Sequence, residues 1–138
     1  MTMAPIYKLI ANAVVARRNC AASGNLKFLA RWDAQLDRIE EQHLPSGSGI
    51  DGGTKIDRED SNENKILLRT SFHHMNEHGG YNGWTNHLIV IEASLLSEFH
   101  VKRVSGRNRN DIKDYLAEVF DAALREEADG DLLCGVAA

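Results

Sequence analysis

The spacing of apolar residues changes period twice along this chain, and that limits the folds open to it. Between about residues 4 and 22, Ile6, Leu9, Ile10, Ala13, Val14 and Ala16 recur at the three- and four-residue intervals of a helix with one buried stripe. "SGN" at 23 to 25 interrupts the pattern. Gly24 suits a left-handed cap there, and Asn25 suits the N-cap of a following helix. Leu29, Trp32, Leu36, Ile39 and His43 form a second stripe, with Asp33, Asp37, Arg38 and Glu41 mainly on its wetter side, and Pro45 ends it. So short a turn predicts an antiparallel helix pair over 4–44.

From Thr54 the period becomes two. "TKID" and "KILLRTSFH" read as strands paired across the polar turn "REDSNEN". In the second of them Ile66, Leu68, Thr70 and Phe72 share one face, and Leu67, Arg69, Ser71 and His73 share the other. "WTNHLIVIEA" separates Trp84, Leu88 and Val90 from Thr85, His87, Ile89 and Ile91. "EFHVKRV" separates Phe99 and Val101 from His100, Lys102 and Val104. Helical spacing then returns through Ile112, Tyr115, Leu116, Val119, Ala123 and Leu124.

This order implies one α+β domain over residues 1–138. It comprises an N-terminal helical hairpin, a four-stranded antiparallel meander over 50–105, and a C-terminal helix over 110–127 packed on the sheet. The tail, 128–138, has no clear period. "PSGSGIDGG" at 45–53 reads as a loop crossing from helices to sheet. A chain of 138 residues is long enough to bury one sizeable core.

The formal charge of −4 argues against a broad basic coat for nucleic acid or an anionic membrane. No run approaches the roughly 18 apolar residues of a membrane span, and "ARR" stands where a signal peptide would need small residues for cleavage, so no membrane association is expected. Cys20 and Cys134 form neither a ligand spacing nor a disulfide framework, which makes a reducing cytoplasm the natural setting.

Five of the six histidines lie between 73 and 100. In "FHHMNEHGGYNGWTNH", His73 and His87 are expected to face the same way on neighbouring strands, with His74 opposite and His78 in the turn. Imidazoles suit zinc, but HExxH and CxxC are both missing, so neither a metal nor a cofactor is assigned. The same residues suit a ligand pocket. The glycines let the backbone turn sharply, Tyr81 and Trp84 offer flat surfaces, and the ring nitrogens offer hydrogen bonds. The plainer alternative makes Trp84 a core anchor beside an ordinary turn. In "SGRNRNDIKDY", Arg107 and Arg109 precede the last helix, where cations are disfavoured by the helix dipole but suit a phosphate or carboxylate. The candidate ligand-binding set is therefore His73, His74, Tyr81, Trp84, His87, Arg107 and Arg109, with no catalytic residue.

Three blocks taken together, "HLPSGSGIDGGTKID", "TSFHHMNEHGGYNGWTNH" and "SGRNRNDIKDY", resemble a family of small accessory proteins encoded by bacteriophages and prophages. The resemblance covers roughly residues 43 to 124. It implies a mobile-element protein working inside a bacterial host, in a class that often counters host defence, and it gives no residue a role. The preferred expectation is a non-enzymatic binder of an anionic, nucleotide-like small molecule, held between the histidine-rich hairpin and the Arg107/Arg109 helix entrance. A second reading is an inhibitor that docks on a host defence protein, using Asp33, Asp37, Glu40 and Glu41 to mimic nucleic-acid charge. A third is a metal-dependent hydrolase built on His73, His78 and His87, with Asp51 or Glu92 as base. An exposed sheet edge leaves a homo-oligomer open.

Overall fold

The computed structural model describes residues 3–47, 50–75, 78, 81–93, 99–104 and 110–129. Two helices, α1 (Ile6–Ser23) and α2 (Leu26–His43), follow a short strand β1 (Met3–Pro5). Their junction forms as the cap residues require. Gly24 adopts φ 74°, its N–H donates to the Ala21 carbonyl, and the Asn25 N–H donates to the Cys20 carbonyl. These two bonds close the reciprocal pattern that ends a helix on a left-handed residue. The Asn25 side chain then accepts from the Phe28 N–H at 3.2 Å and starts α2.

The sheet contains β2 (Ile50–Ile56), β3 (Lys65–Met75), β4 (Tyr81–Ala93) and β5 (Phe99–Val104). Each strand runs antiparallel to the one before it, in spatial order β2-β3-β4-β5. Helix α3 (Asn110–Arg125) and a short strand β6 (Glu127–Asp129) follow. Strand β6 pairs antiparallel with β1, matching Met3 to Asp129 and Pro5 to Glu127. The Ile6 N–H, an orphan donor in the first turn of α1, reaches the Glu126 carbonyl at 2.8 Å. This clasp of residues 3–5 on 127–129 was not legible from periodicity, because three-residue strands carry no period.

One apolar cluster joins the layers. Ile6, Ile10 and Val14 of α1, Leu36 and Ile39 of α2, Leu68, Ile89 and Ile91 of the sheet, and Leu116, Phe120 and Leu124 of α3 are all essentially without solvent contact. Each contributes roughly 1.5–3 kcal/mol by leaving water. On the sheet face that meets this cluster, cross-strand rows change character along the strands. Ile56, Leu68 and Ile89 form an apolar row, and the next row is Thr54, Thr70 and His87. The row beyond is Ile50, Phe72 and Thr85, with the Phe72 ring edge-on to Tyr115 of α3 at 6.1 Å.

Charge ties the helix pair to the sheet at its β2 edge. Glu40, on α2, is only 7% exposed. Its Oε2 accepts from the Ile56 backbone N–H at 2.7 Å, and its Oε1 accepts from Arg58 at 3.3 Å. Arg58 also donates to Asp33 and Asp37, and Arg17 of α1 donates to Asp33 and Glu59. Asp33 and Glu40 are therefore paired within the fold, while Asp37, 68% exposed, gives one oxygen to Arg58 and Glu41 is exposed, so the acidic stripe expected to mimic nucleic-acid charge is neutralised only in part. Helical spacing alone cannot show that an arginine from a distant turn will fold back over those acids. Burial raises the Asp33 pKa, but hydrogen bonds from Arg17 and Arg58 outweigh it and hold the carboxyl below its ordinary 3.8. Asp57 is held below 3.8 in the same way, by the Asp60 N–H and Arg69 against the effect of burial.

Glu40→Ala should cost about 3 kcal/mol in urea unfolding, because Ile56 N–H and part of the Arg58 charge lose their partner. Glu40→Gln keeps an acceptor for Ile56 and should lose roughly half as much. Equal losses for the two variants would show that the strand-edge hydrogen bond contributes nothing. Depressed carboxyl pKa values stabilise the fold above the unfolded value and lose that effect as pH falls through the folded value. Stability should thus hold between about pH 5 and 7 and drop below about pH 4, with a shallower drop in Asp33→Asn.

Candidate functional site

The pairing register decides which polar residues meet. On the outer face of the sheet, away from the apolar cluster, Lys55 lies opposite Arg69 and Arg69 opposite Leu88. Ser71 lies opposite Asn86, and His73 opposite Trp84. This outer face therefore carries a cationic row, an amide–hydroxyl row and a ring row in succession.

Strand β2 departs from β3 in the middle of this surface. Asp51 pairs with Ser71, whereas Thr54 pairs with the adjacent Thr70, so Gly52 and Gly53 bulge out. Both have left-handed φ, 70° and 78°. A Cβ at Gly52 would meet nothing within 4 Å, so conformation and not space makes glycine the fitting residue there. With no side chains on the bulge, the surface sinks into an open hollow of about 660 Å³, lined by Gly52, Gly53, Lys55, Arg69, Ser71, Asn86 and Leu88, with Thr70 and His87 between them.

The hollow presents donors. The Arg69 side chain is 60% exposed and is oriented by one contact, Nη2 to the Asp57 carboxylate at 2.9 Å, leaving its other N–H groups directed elsewhere. The Lys55 ammonium is 74% exposed and stands 3.8 Å from Glu40, whose oxygens already serve Ile56 and Arg58. The Ser71 hydroxyl donates to the Asn86 Oδ1 at 2.7 Å, which turns the Asn86 amide nitrogen away from Ser71 as a further donor. Among the described side chains of the lining, two cations and an amide suit an anion; Asp51 shares this face by register, opposite Ser71.

The structure divides the residues that the sequence singled out. Trp84 is 57% exposed on the outer face, so it is no core anchor. His73, opposite it, is half-buried. His87 lies on the inner face and is buried, which corrects the expectation that His73 and His87 face the same way. His73 is matched with Trp84 and His87 with Thr70, so the two histidines have opposite parity across the ladder. His74 joins His87 instead. The Thr85 hydroxyl sits between their Nε2 atoms, 3.0 Å from His74 and 2.9 Å from His87. A hydroxyl carries one hydrogen, so it donates to at most one of the two rings.

Tyr81 pairs through its backbone with Met75, across a register shift that follows His73; its side chain, together with Arg107 and Arg109, lies outside the described residues. The hydrolase trio does not converge, because His73 and His87 are on opposite faces and His78 is an exposed turn residue. Glu92 lies opposite Lys65, five residues along β4 from His87 and roughly 17 Å away. Among the described residues no group of three or more His, Cys, Asp or Glu side chains could hold a metal ion, and no helix is long and apolar enough to cross a membrane.

Periodicity already put Arg69, Ser71 and His73 on one face, yet Lys55 and Asn86 went unnoticed as their neighbours. The alternation in "TKID" is unbroken, and what it cannot show is the offset that sets Lys55 opposite Arg69. Comparisons with protein families, curated proteins and solved structures found no match for this chain, so the site rests on its own chemistry.

If the left-handed bulge shapes the hollow, Gly52→Ala should cost about 1–2 kcal/mol, and Gly52→Asn less, because asparagine tolerates that conformation. A Gly52→Ala protein as stable as the parent in chemical denaturation would show that the bulge relaxes freely.

Proposed function

We propose that the protein is a non-enzymatic binder of an anionic, nucleotide-like small molecule, and that the outer-face hollow is where the anion sits. The observation that carries this reading is the meeting of Lys55 and Arg69 beside a side-chain-free bulge and the Asn86 amide. An exposed guanidinium positioned by one carboxylate is a ready anion partner, because part of its ordering cost is met before the ligand arrives. A metal-dependent hydrolase built on His73 and His87 is disfavoured, because the two lie on opposite faces of the sheet. Docking on a host defence complex by acidic mimicry is weakened by the pairing of Asp33, Asp37 and Glu40 with Arg17, Arg58 and the Ile56 N–H.

The resemblance to phage and prophage accessory proteins fits the same reading. A small protein made during infection, with no need to turn over its ligand, would act by sequestering a nucleotide signal in the host cytoplasm. Arg107 and Arg109 remain part of the proposal as a second source of positive charge near the start of α3.

The test is ligand-dependent stabilisation. Phosphate-bearing nucleotides at one hundred times their Kd should stabilise the native protein by about 2.7 kcal/mol. Lys55→Ala and Arg69→Ala should each weaken binding while leaving circular dichroism unchanged, and raised salt should weaken it further, since both cations are exposed. Arg109→Ala separates the two anion sites: a loss there with none in Arg69→Ala would move the site to the helix entrance. No stabilisation by any phosphate compound would remove the reading.

A further inference from the structure

We infer that the ligand is a ribonucleoside 5′-phosphate lying lengthwise along β3 and β4, its phosphate at Lys55 and Arg69, its sugar over Ser71 and Asn86, and its base against Trp84 and His73. This deepens the anion-binding reading and rests on it.

Three successive cross-strand pairs on one face set the order. Lys55, Arg69 and Leu88 form the first row, Asp51, Ser71 and Asn86 the second, His73 and Trp84 the third. Successive rows on one face are two residues apart, so the ring row lies roughly 13 Å from the cationic row. That distance is of the order of an extended nucleoside phosphate, and a bare phosphate or a small dicarboxylate would leave the ring row untouched. The chemistry changes along the axis in step with such a molecule. Point charge and a planar fork stand where a phosphate needs them. The Asn86 amide, oriented by the Ser71 hydroxyl at 2.7 Å, stands where sugar hydroxyls would come. An indole that is 57% exposed, opposite His73 in the ladder, stands where a base would stack.

The inner face has none of this order. Its His74–Thr85–His87 hydrogen bonds lie behind the sheet, where the neighbouring ring is Phe72, edge-on to His74 at 5.6 Å. Among the described residues there, none continues the cationic row. The outer face is therefore the one along which charge, hydroxyl recognition and stacking follow one another.

The chain has two tryptophans, and Trp32 is buried while Trp84 is exposed, so emission changes on binding report mainly on Trp84. Titration with AMP, dAMP, adenosine, ribose 5-phosphate and inorganic phosphate tests the assignment, with calorimetry confirming affinities. AMP should quench Trp84 emission and bind at least tenfold tighter than either adenosine or ribose 5-phosphate, the scale of one stacked base or one paired phosphate. Affinity for dAMP should be several-fold weaker than for AMP, and Asn86→Ala should remove that difference. Trp84→Ala should cut AMP affinity about tenfold while sparing ribose 5-phosphate, and Trp84→Phe should restore most of it by calorimetry. Equal affinity for AMP and ribose 5-phosphate, with both lost in Arg69→Ala, would overturn the lengthwise ligand and leave the anion reading standing. Failure of every phosphate compound to bind would overturn both.

Discussion

The Glu40 carboxylate is the joint on which the rest of the molecule depends. Strand β2 is the edge of the sheet, and an edge strand presents backbone donors that water or another chain would otherwise take. Glu40 reaches down from α2 and accepts from the Ile56 N–H, so the helix pair is fixed to the sheet through a backbone atom. A buried carboxylate is costly on its own. Arg58 offsets that cost from above, held in turn by Asp33 and Asp37, while Arg17 brings α1 into the same group. The apolar cluster supplies most of the stabilisation, but it is indifferent to small slides of one layer over another. The charged joint sets the position of β2, and with it the bulge at Gly52 and Gly53.

That joint also explains why the sequence could be read for its elements and less well for its surfaces. Helix α1, the cap at Gly24, the second cap at Asn25 and the end of α2 before Pro45 all follow from local chemistry, and each lies where that chemistry puts it. The alternation in β3 and β4 likewise predicted which residues share a strand face. What single strands cannot supply is the offset between them. An offset of one residue exchanges inner and outer faces, and here the true offset separates His73 from His87 and unites His74 with His87. The same offset sets Trp84 opposite His73 and Asn86 opposite Ser71. Lys55 was beyond reach for the same reason, since only the offset between β2 and β3 sets it opposite Arg69.

The sheet thus carries two different polar surfaces. Behind it, the core gives way from isoleucine and leucine to threonine and histidine, with hydroxyls bridging rings and carbonyls: Thr54 Oγ1 donates to the Pro45 carbonyl at 2.9 Å, and Thr85 joins two imidazoles. These polar groups satisfy one another, as a core margin requires. In front, the polar groups are held in place by single contacts and keep donors to spare. Internal satisfaction behind and residual hydrogen-bonding capacity in front are what distinguish a structural polar layer from a recognition surface.

The clasp of β1 on β6 carries a consequence for biosynthesis. Helices α1 and α2 leave the ribosome first, yet the Ile6 donor is satisfied by Glu126, and Ile6, Ile10 and Val14 are covered in part by Leu116, Phe120 and Leu124. At ~5–20 residues per second, the nascent hairpin waits about ten seconds with its greasy side uncovered. During that interval a holding chaperone, or a neighbouring nascent chain, competes for the surface that α3 will finally seal.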